Sequence, residues 1–211
     1  MNAESMIDAL ALDFGPVRSA GLQPRPIFLG VTLASAAVIL FWGIRPGGVE
    51  AFESTAIWIR CGYTLGLAAG ALWLGLCLAR PGAGHRAALA AVLVPLVALA
   101  AAATVGLAAE PPSQWLHDVL GRSWMTCSAS IALLSMLTAP LVVLSARRLA
   151  PVRPDLAGAA LGVAAGALAA TAYGLLHCAE SSPVFILLWY TLGMAPAAAM
   201  GAAFGRKWLR W

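Results

Sequence analysis

Six apolar stretches, each long enough to cross a lipid bilayer, decide what this chain can fold into. They run from about Pro26 to Ile44, Ala56 to Ala79, Ala87 to Ala109, Trp124 to Ser145, Leu156 to Leu176 and Pro183 to Phe204. Punctuation closes most of them: Arg45-Pro46-Gly47-Gly48, Arg80-Pro81-Gly82, Glu110-Pro111-Pro112, Arg147-Arg148 and Arg206-Lys207. At 1.5 Å of rise per residue, about 20 residues span the roughly 30 Å hydrocarbon layer. A helix satisfies its own backbone in lipid, where no water can. The expected fold class is therefore all-α, a polytopic membrane protein built as a bundle of six transmembrane helices. Composition closes the other routes. Of 211 residues, 61% are hydrophobic and 10% charged, against about 25% charged in soluble domains. Six spans consume about 120 residues, so no large soluble domain fits. The chain divides into a tail, 1–25, and a transmembrane domain, 26–211.

The tail reads as retained rather than cleaved. Glu4, Asp8 and Asp13 precede any basic residue, and no apolar core follows Met1 directly, unlike a secretory leader. Orientation follows from the basic residues. With the N-terminus in the cytoplasm, Arg18, Arg25, Arg80, Arg86, Arg147, Arg148, Arg153, Arg206, Lys207 and Arg210 lie inside, and only Arg45, Arg60 and Arg122 outside. Both termini are expected in the cytoplasm, with the chain crossing a bacterial inner membrane. Trp42, Trp58, Trp115 and Trp124 then sit near the outer interface, and Trp208 and Trp211 near the inner one, where indole prefers to lie. The net charge of +4 is scattered and almost all Arg, which fits topology signals better than a nucleic-acid surface.

Small residues at four-residue spacing mark packing seams: Gly158, Gly162 and Gly166 in the fifth span, Gly66 and Gly70 in the second, Gly201 and Gly205 in the sixth. Such spacing lets helix backbones approach in lipid. Packing within one bundle is expected, with a homo-oligomer as the alternative. Pro95, Pro140 and Pro196 lie within spans, where kinks without nearby polar groups read as architectural. Arg60 is the one clear charge within a span, about one turn from the outer interface, and is expected to snorkel outward. Without acidic or Lys side chains at mid-span, ion-coupled transport is disfavoured. No HExxH, GxSxG or GxxxxGK[ST] occurs, so enzyme chemistry is not expected. His85, His117 and His177 are all placed in loops.

The four cysteines divide by depth. Cys77 lies near the inner end of the second span and Cys61 near its outer end, roughly 24 Å apart along the helix, too far to pair. Cys127 opens the fourth span and Cys178, directly after His177, follows the fifth. These two face the same outer side. Thiolate plus imidazole suits soft metals, and two close thiols suit a disulfide switch; two unrelated interfacial cysteines are the alternative. In the tail, Met6, Ile7, Leu10 and Phe14 recur at spacings of three and four, the stripe of an amphipathic helix. About eleven residues are too few for a stable isolated helix, so a partner's groove could order it; a passive tail is the alternative.

Late in the chain stands Tyr173-Gly174-Leu175-Leu176-His177-Cys178-Ala179-Glu180-Ser181-Ser182-Pro183-Val184-Phe185, continuing to Trp189-Tyr190. With the acidic-amphipathic tail, Pro16-Val17-Arg18 and six spans, this resembles the NrsF family of bacterial membrane anti-sigma factors, negative regulators of extracytoplasmic-function sigma factors. The resemblance covers nearly the whole chain. It implies a sigma factor held at the inner membrane through the N-terminal segment. It also implies a response to heavy-metal or oxidative stress through two periplasmic-side cysteines, here Cys127 and Cys178, with His177 and Glu180 as helpers. No cofactor is obligatory on this reading; a heavy-metal ion at Cys127 and Cys178 is the candidate ligand. The partners are an extracytoplasmic-function sigma factor and the lipid bilayer, with no direct nucleic-acid contact. Two other classes compete. A small transporter predicts a polar path through the bundle, and a structural membrane subunit predicts indifference to thiol reagents.

Overall fold

The computed structural model describes residues 4, 7, 21–45, 54–80, 82–149 and 151–209. All the regular structure among them is helical. The helices are α1 (Pro24–Phe41), α2 (Thr55–Leu78), α3 (Arg86–Ala109), α4 (Pro112–Leu120), α5 (Trp124–Ser145), α6 (Pro154–Leu176) and α7 (Pro183–Trp208). Six helical stretches among the described residues are long and apolar enough to span a membrane, with α4 and α5 counted as one stretch, Pro112–Ser145. Four helices, α1, α4, α6 and α7, open with proline in the first turn, where the missing N–H costs nothing and φ is already helical. This is why α1 and α6 begin two residues earlier than apolarity alone indicates.

Spans consecutive in the chain run antiparallel. Gly158 packs on Gly201, Gly162 on Ala197 and Gly166 on Met194, so α6 and α7 descend past each other. Gly66 meets Pro95 and Gly70 meets Ala91 across α2 and α3. The backbone N–H of Gln23 donates to the Ser145 carbonyl at 2.9 Å, and that of Arg45 to the Leu176 carbonyl at 2.9 Å. The start of α1 therefore sits beside the end of α5, and its exit beside the end of α6. One end of the bundle, the tail end, gathers residues near 24, 78, 86, 145, 154 and 208. The other, the cysteine end, gathers those near 41, 55, 109, 124, 176 and 183.

Helix α6 is the central rod. Within its most apolar 18 residues, 72% are buried, against 17% in α1 and in α3. Its sequence, PDLAGAALGVAAGALAATAYGLL, is mostly Ala and Gly. Lipid tails are as apolar as Leu, so bulk hydrophobicity does not drive helices together; close backbone approach does. The seams at 158–166 and 201–205 are thus spent inside the bundle. The broad apolar faces of α1 and α3, with Phe28, Leu40, Val94, Val97 and Val105 exposed, are suited to acyl chains.

Three local expectations change. His117 lies in a helix, α4, rather than a loop; the Trp115 indole tethers this helix to α3 by donating to the Leu107 carbonyl at 2.8 Å. Helix α1 ends at Phe41, short of Ile44, and α7 continues past Phe204 to Trp208. Within α7, Ile186–Tyr190 forms a π segment, a wider turn of the kind common at functional sites. Of the tail, Glu4 is helical and exposed, as is Ile7; Met6, Leu10 and Phe14 lie outside the described residues.

A Cβ on Gly162 would collide with the Ala197 carbonyl of α7, whereas one on Gly106 meets nothing within 4 Å. Overpacking costs about 1–3 kcal/mol, roughly 2–12 °C for a chain of this size. Gly162→Val is expected to lower the thermal midpoint of the detergent-solubilised protein by that amount, and Gly106→Ala to leave it unchanged or slightly raised. Fluorescence-monitored melting checks both.

Candidate functional site

Two elements of different character meet at the cysteine end. Cys127 sits in the first turn of α5, one turn beyond Ser123, on a rigid rod. Cys178 lies beyond α6, in the non-helical stretch 178–182 that leads into α7. Their Sγ atoms are 3.3 Å apart, and both residues are buried. Around them, Ser123 Oγ lies 3.2 Å from Cys127 Sγ, and the Tyr173 hydroxyl donates to the same sulfur at 3.7 Å. All four cysteines are free thiols. Cys61 is buried on α2 and Cys77 is half-buried at the other end of that helix, so neither joins the pair.

A cavity of ≈ 560 Å³ opens over the sulfurs, lined also by Trp42, Arg122, Thr126 and His177. It gives a small ion or reagent a path to the pair. His177 lines it, yet its Nδ1 is engaged 3.3 Å from the Gly43 carbonyl. Among the described residues, no group of three or more His, Cys, Asp and Glu is placed to hold a metal ion. The donor set at the site is thus two sulfurs, chemistry that suits soft thiophilic ions.

The expectation that Arg60 snorkels to the interface is overturned. Arg60 is 2% exposed and reaches inward to the turn after α6. Its Nη1 donates to the carbonyls of Gly174 at 2.8 Å and Cys178 at 2.7 Å, and its Nη2 to that of Glu180. The last carbonyls of a helix have no partner within it, and in lipid no water supplies one. A guanidinium, with five donors in a planar fork, fills that need. Tyr190, from the π segment of α7, stacks its ring 5.9 Å from the guanidinium carbon. Arg45 adds a donation to the Cys178 carbonyl at 3.2 Å.

Glu180 fastens the turn from the other side. Its Oε1 accepts from the Arg122 backbone N–H at 2.9 Å and from Ser123 Oγ at 3.0 Å, which joins the Cys178 turn to the start of α5. Gly121 permits this closure. It has φ of +56°, and a Cβ there would meet Phe185 at 2.7 Å and the Glu180 carboxyl carbon at 3.1 Å. Trp189 completes the frame, stacking near Trp124 at 4.8 Å and donating to the Val119 carbonyl at 2.7 Å. The sequence pointed to the cysteines, and the family resemblance to Glu180. Both missed Arg60, Ser123, Tyr173 and Tyr190. The one signal available was a charge inside an apolar run, which in a membrane protein marks function by default.

The comparisons with known proteins bear on the family. A family model described as "NrsF: Negative regulator of sigma F" matches residues 10–211. The "Probable anti-sigma-F factor NrsF" of Azospira oryzae is 36% identical over the full length of both chains. The "Anti-sigma-F factor NrsF" of Caulobacter vibrioides is 35% identical, also over the full length of both. No solved structure matches.

The hydrogen bond from Cys127 holds the Cys178 thiol below the ordinary thiol range, with the Arg60 guanidinium adding to it against the opposing effect of burial. Thiolate, the reactive form, therefore accumulates at lower pH than in an exposed cysteine, whose pKa is about 8.5. Modification of Cys178 by a small methanethiosulfonate is expected to rise through a midpoint below that value. Cys127→Ala removes the largest cause and is expected to move the midpoint upward. A pH series of modification rates read by mass spectrometry checks both.

Proposed function

Because the chain belongs to the family of negative regulators of sigma F, we propose that it is a membrane anti-sigma factor regulated from the opposite face of the bilayer. It holds an extracytoplasmic-function sigma factor through residues 1–25 and releases it when Cys127 and Cys178 meet a heavy metal or an oxidant. The observation that carries the sensing half is the 3.3 Å approach of two sulfurs, one on α5 and one in the turn between α6 and α7. Two cysteines 51 positions apart, both buried and both lining one cavity, support reading them as one site rather than as two separate interfacial thiols. The role is regulatory and requires no catalysis.

Orientation supports the same reading. Arg25, Arg80, Arg86, Arg147, Arg148, Arg153, Arg206 and Lys207 gather at the tail end, and basic residues favour the cytoplasmic side. On this reading the tail lies beside the transcription machinery and the thiols in the periplasm, an oxidising space. The tail stripe of Met6, Ile7, Leu10 and Phe14 then docks in a groove of the sigma factor.

The bundle offers a mechanical route between the two ends. Cys127 rides the outer end of α5. At its inner end, the Ser145 carbonyl accepts from the Gln23 N–H, the residue joining the tail to α1. An oxidant that takes two electrons and two protons from the thiols leaves a bond of about 2.05 Å, so the sulfurs must close by about 1 Å. A soft metal ion would bridge the same two sulfurs. Either event shifts α5 against α6 and changes how the tail is presented. A 100-fold weakening of the hold on the sigma factor corresponds to about 2.7 kcal/mol of difference between the two states.

Co-purification from membranes tests both halves. Leu10→Asp with Phe14→Asp is expected to abolish capture of the sigma factor while the protein still inserts in the membrane; retained capture removes the docking claim. Cys127→Ser with Cys178→Ser is expected to capture the sigma factor normally and to keep it under cadmium or peroxide challenge. Normal release from that variant removes the sensing claim.

A further inference from the structure

We propose that Arg60 is the positioning residue of the thiol pair, the group on α2 that fixes Cys178 opposite Cys127. The two cysteines are not held alike. Helical geometry sets Cys127, but Cys178 belongs to the non-helical stretch 178–182, tied to α6 by the bond from its N–H to the Tyr173 carbonyl at 3.2 Å, so its sulfur lies where the anchors of that stretch place it. Arg60 is the chief anchor. Its two Nη atoms grip the carbonyls of Gly174, Cys178 and Glu180, bracketing the cysteine from four residues before it to two after it. Nε makes no hydrogen bond, so the fork is committed to the turn and not to its own helix.

The energetics argue against a bystander. Burying a cation without a counter-ion is costly, and among the described residues no carboxylate pairs with Arg60; the Glu180 carboxylate is engaged with Arg122 and Ser123. An apolar side chain would fill the volume at lower cost. What such a side chain lacks is the fork that binds three carbonyls at once. The packing is shaped around it as well. A Cβ on Gly174 would lie 2.6 Å from Arg60 Cδ and 3.0 Å from the Tyr190 hydroxyl oxygen. The inference gives meaning to the sensing role proposed above, but its test is independent of sigma-factor release.

The test is the effective concentration of the pair in the full-length protein in nanodiscs, with Cys61→Ala and Cys77→Ala as background. The protein is equilibrated with glutathione and glutathione disulfide. The S–S bond of glutathione disulfide breaks, one forms between Cys127 and Cys178, and two glutathione thiols carry away the two protons. Arg60→Gln is expected to lower the effective concentration by about tenfold or more, with Arg60→Lys intermediate, since one ammonium cannot span three carbonyls. Gly174→Ala keeps the charge but displaces the fork, and is expected to match Arg60→Gln; it decides the question alone if Arg60→Gln does not fold. All values are taken on the monodisperse, folded fraction, where a role only in stability would leave them unchanged. Values for Arg60→Gln or Gly174→Ala within about twofold of the parent overturn the proposal.

Discussion

Hydrocarbon gives no hydrogen bonds, so every backbone polar group of a membrane-spanning chain must find its partner within the protein. That constraint shapes this molecule from the middle of the bundle to its ends. Along the spans it is met by helices, and buried hydroxyls fold back onto backbone or onto each other: Thr64 on the Arg60 carbonyl, Thr171 on Thr64, Thr138 on the Ala165 carbonyl. Where α6 stops, its last carbonyls would be orphaned. Arg60 crosses from α2 to take that of Gly174 together with those of Cys178 and Glu180 in the turn beyond, and the turn that carries Cys178 is built on that contact.

The site thus joins a stiff half and a tethered half. Cys127 belongs to a rod that crosses the bundle. Cys178 belongs to a turn pinned by Arg60, Arg45 and Glu180. Such an arrangement keeps two sulfurs close without bonding them. It also means that changing their separation, closing it by a bond or widening it by a shared ion, pulls on α2, α5 and α6 together. Interfaces packed through glycine backbones, as between α6 and α7, have little room to deform gradually and tend to move as units.

Much of this was legible in the sequence, for identifiable reasons. Six spans followed from apolar length because the bilayer sets a minimum. The Gly158–Gly166 and Gly201–Gly205 seams followed from spacing, because only small residues allow that approach. Cys127 and Cys178 were placed on one side by counting spans. What the sequence withheld was lateral arrangement. Nothing in the run Ile57-Trp58-Ile59-Arg60 says whether the guanidinium turns to the interface or to a neighbouring helix. That depends on α6 ending beside α2. The π segment at Ile186–Tyr190 was equally hidden; it carries Trp189 to Trp124 and Tyr190 to Arg60. Helix α4 lies in a stretch punctuated by Pro111 and Pro112, which read as a loop because prolines both end and begin helices.

The account stands on the thiols and the tail lying on opposite sides of the membrane. Intact spheroplasts treated with a charged, membrane-impermeant methanethiosulfonate test this directly, using single-cysteine proteins that retain either Cys178 or an introduced Ser19→Cys. The account predicts modification of Cys178 from outside without permeabilisation, and of the residue-19 cysteine only after it. Modification of residue 19 from outside, or protection of Cys178 until the membrane is opened, would contradict it.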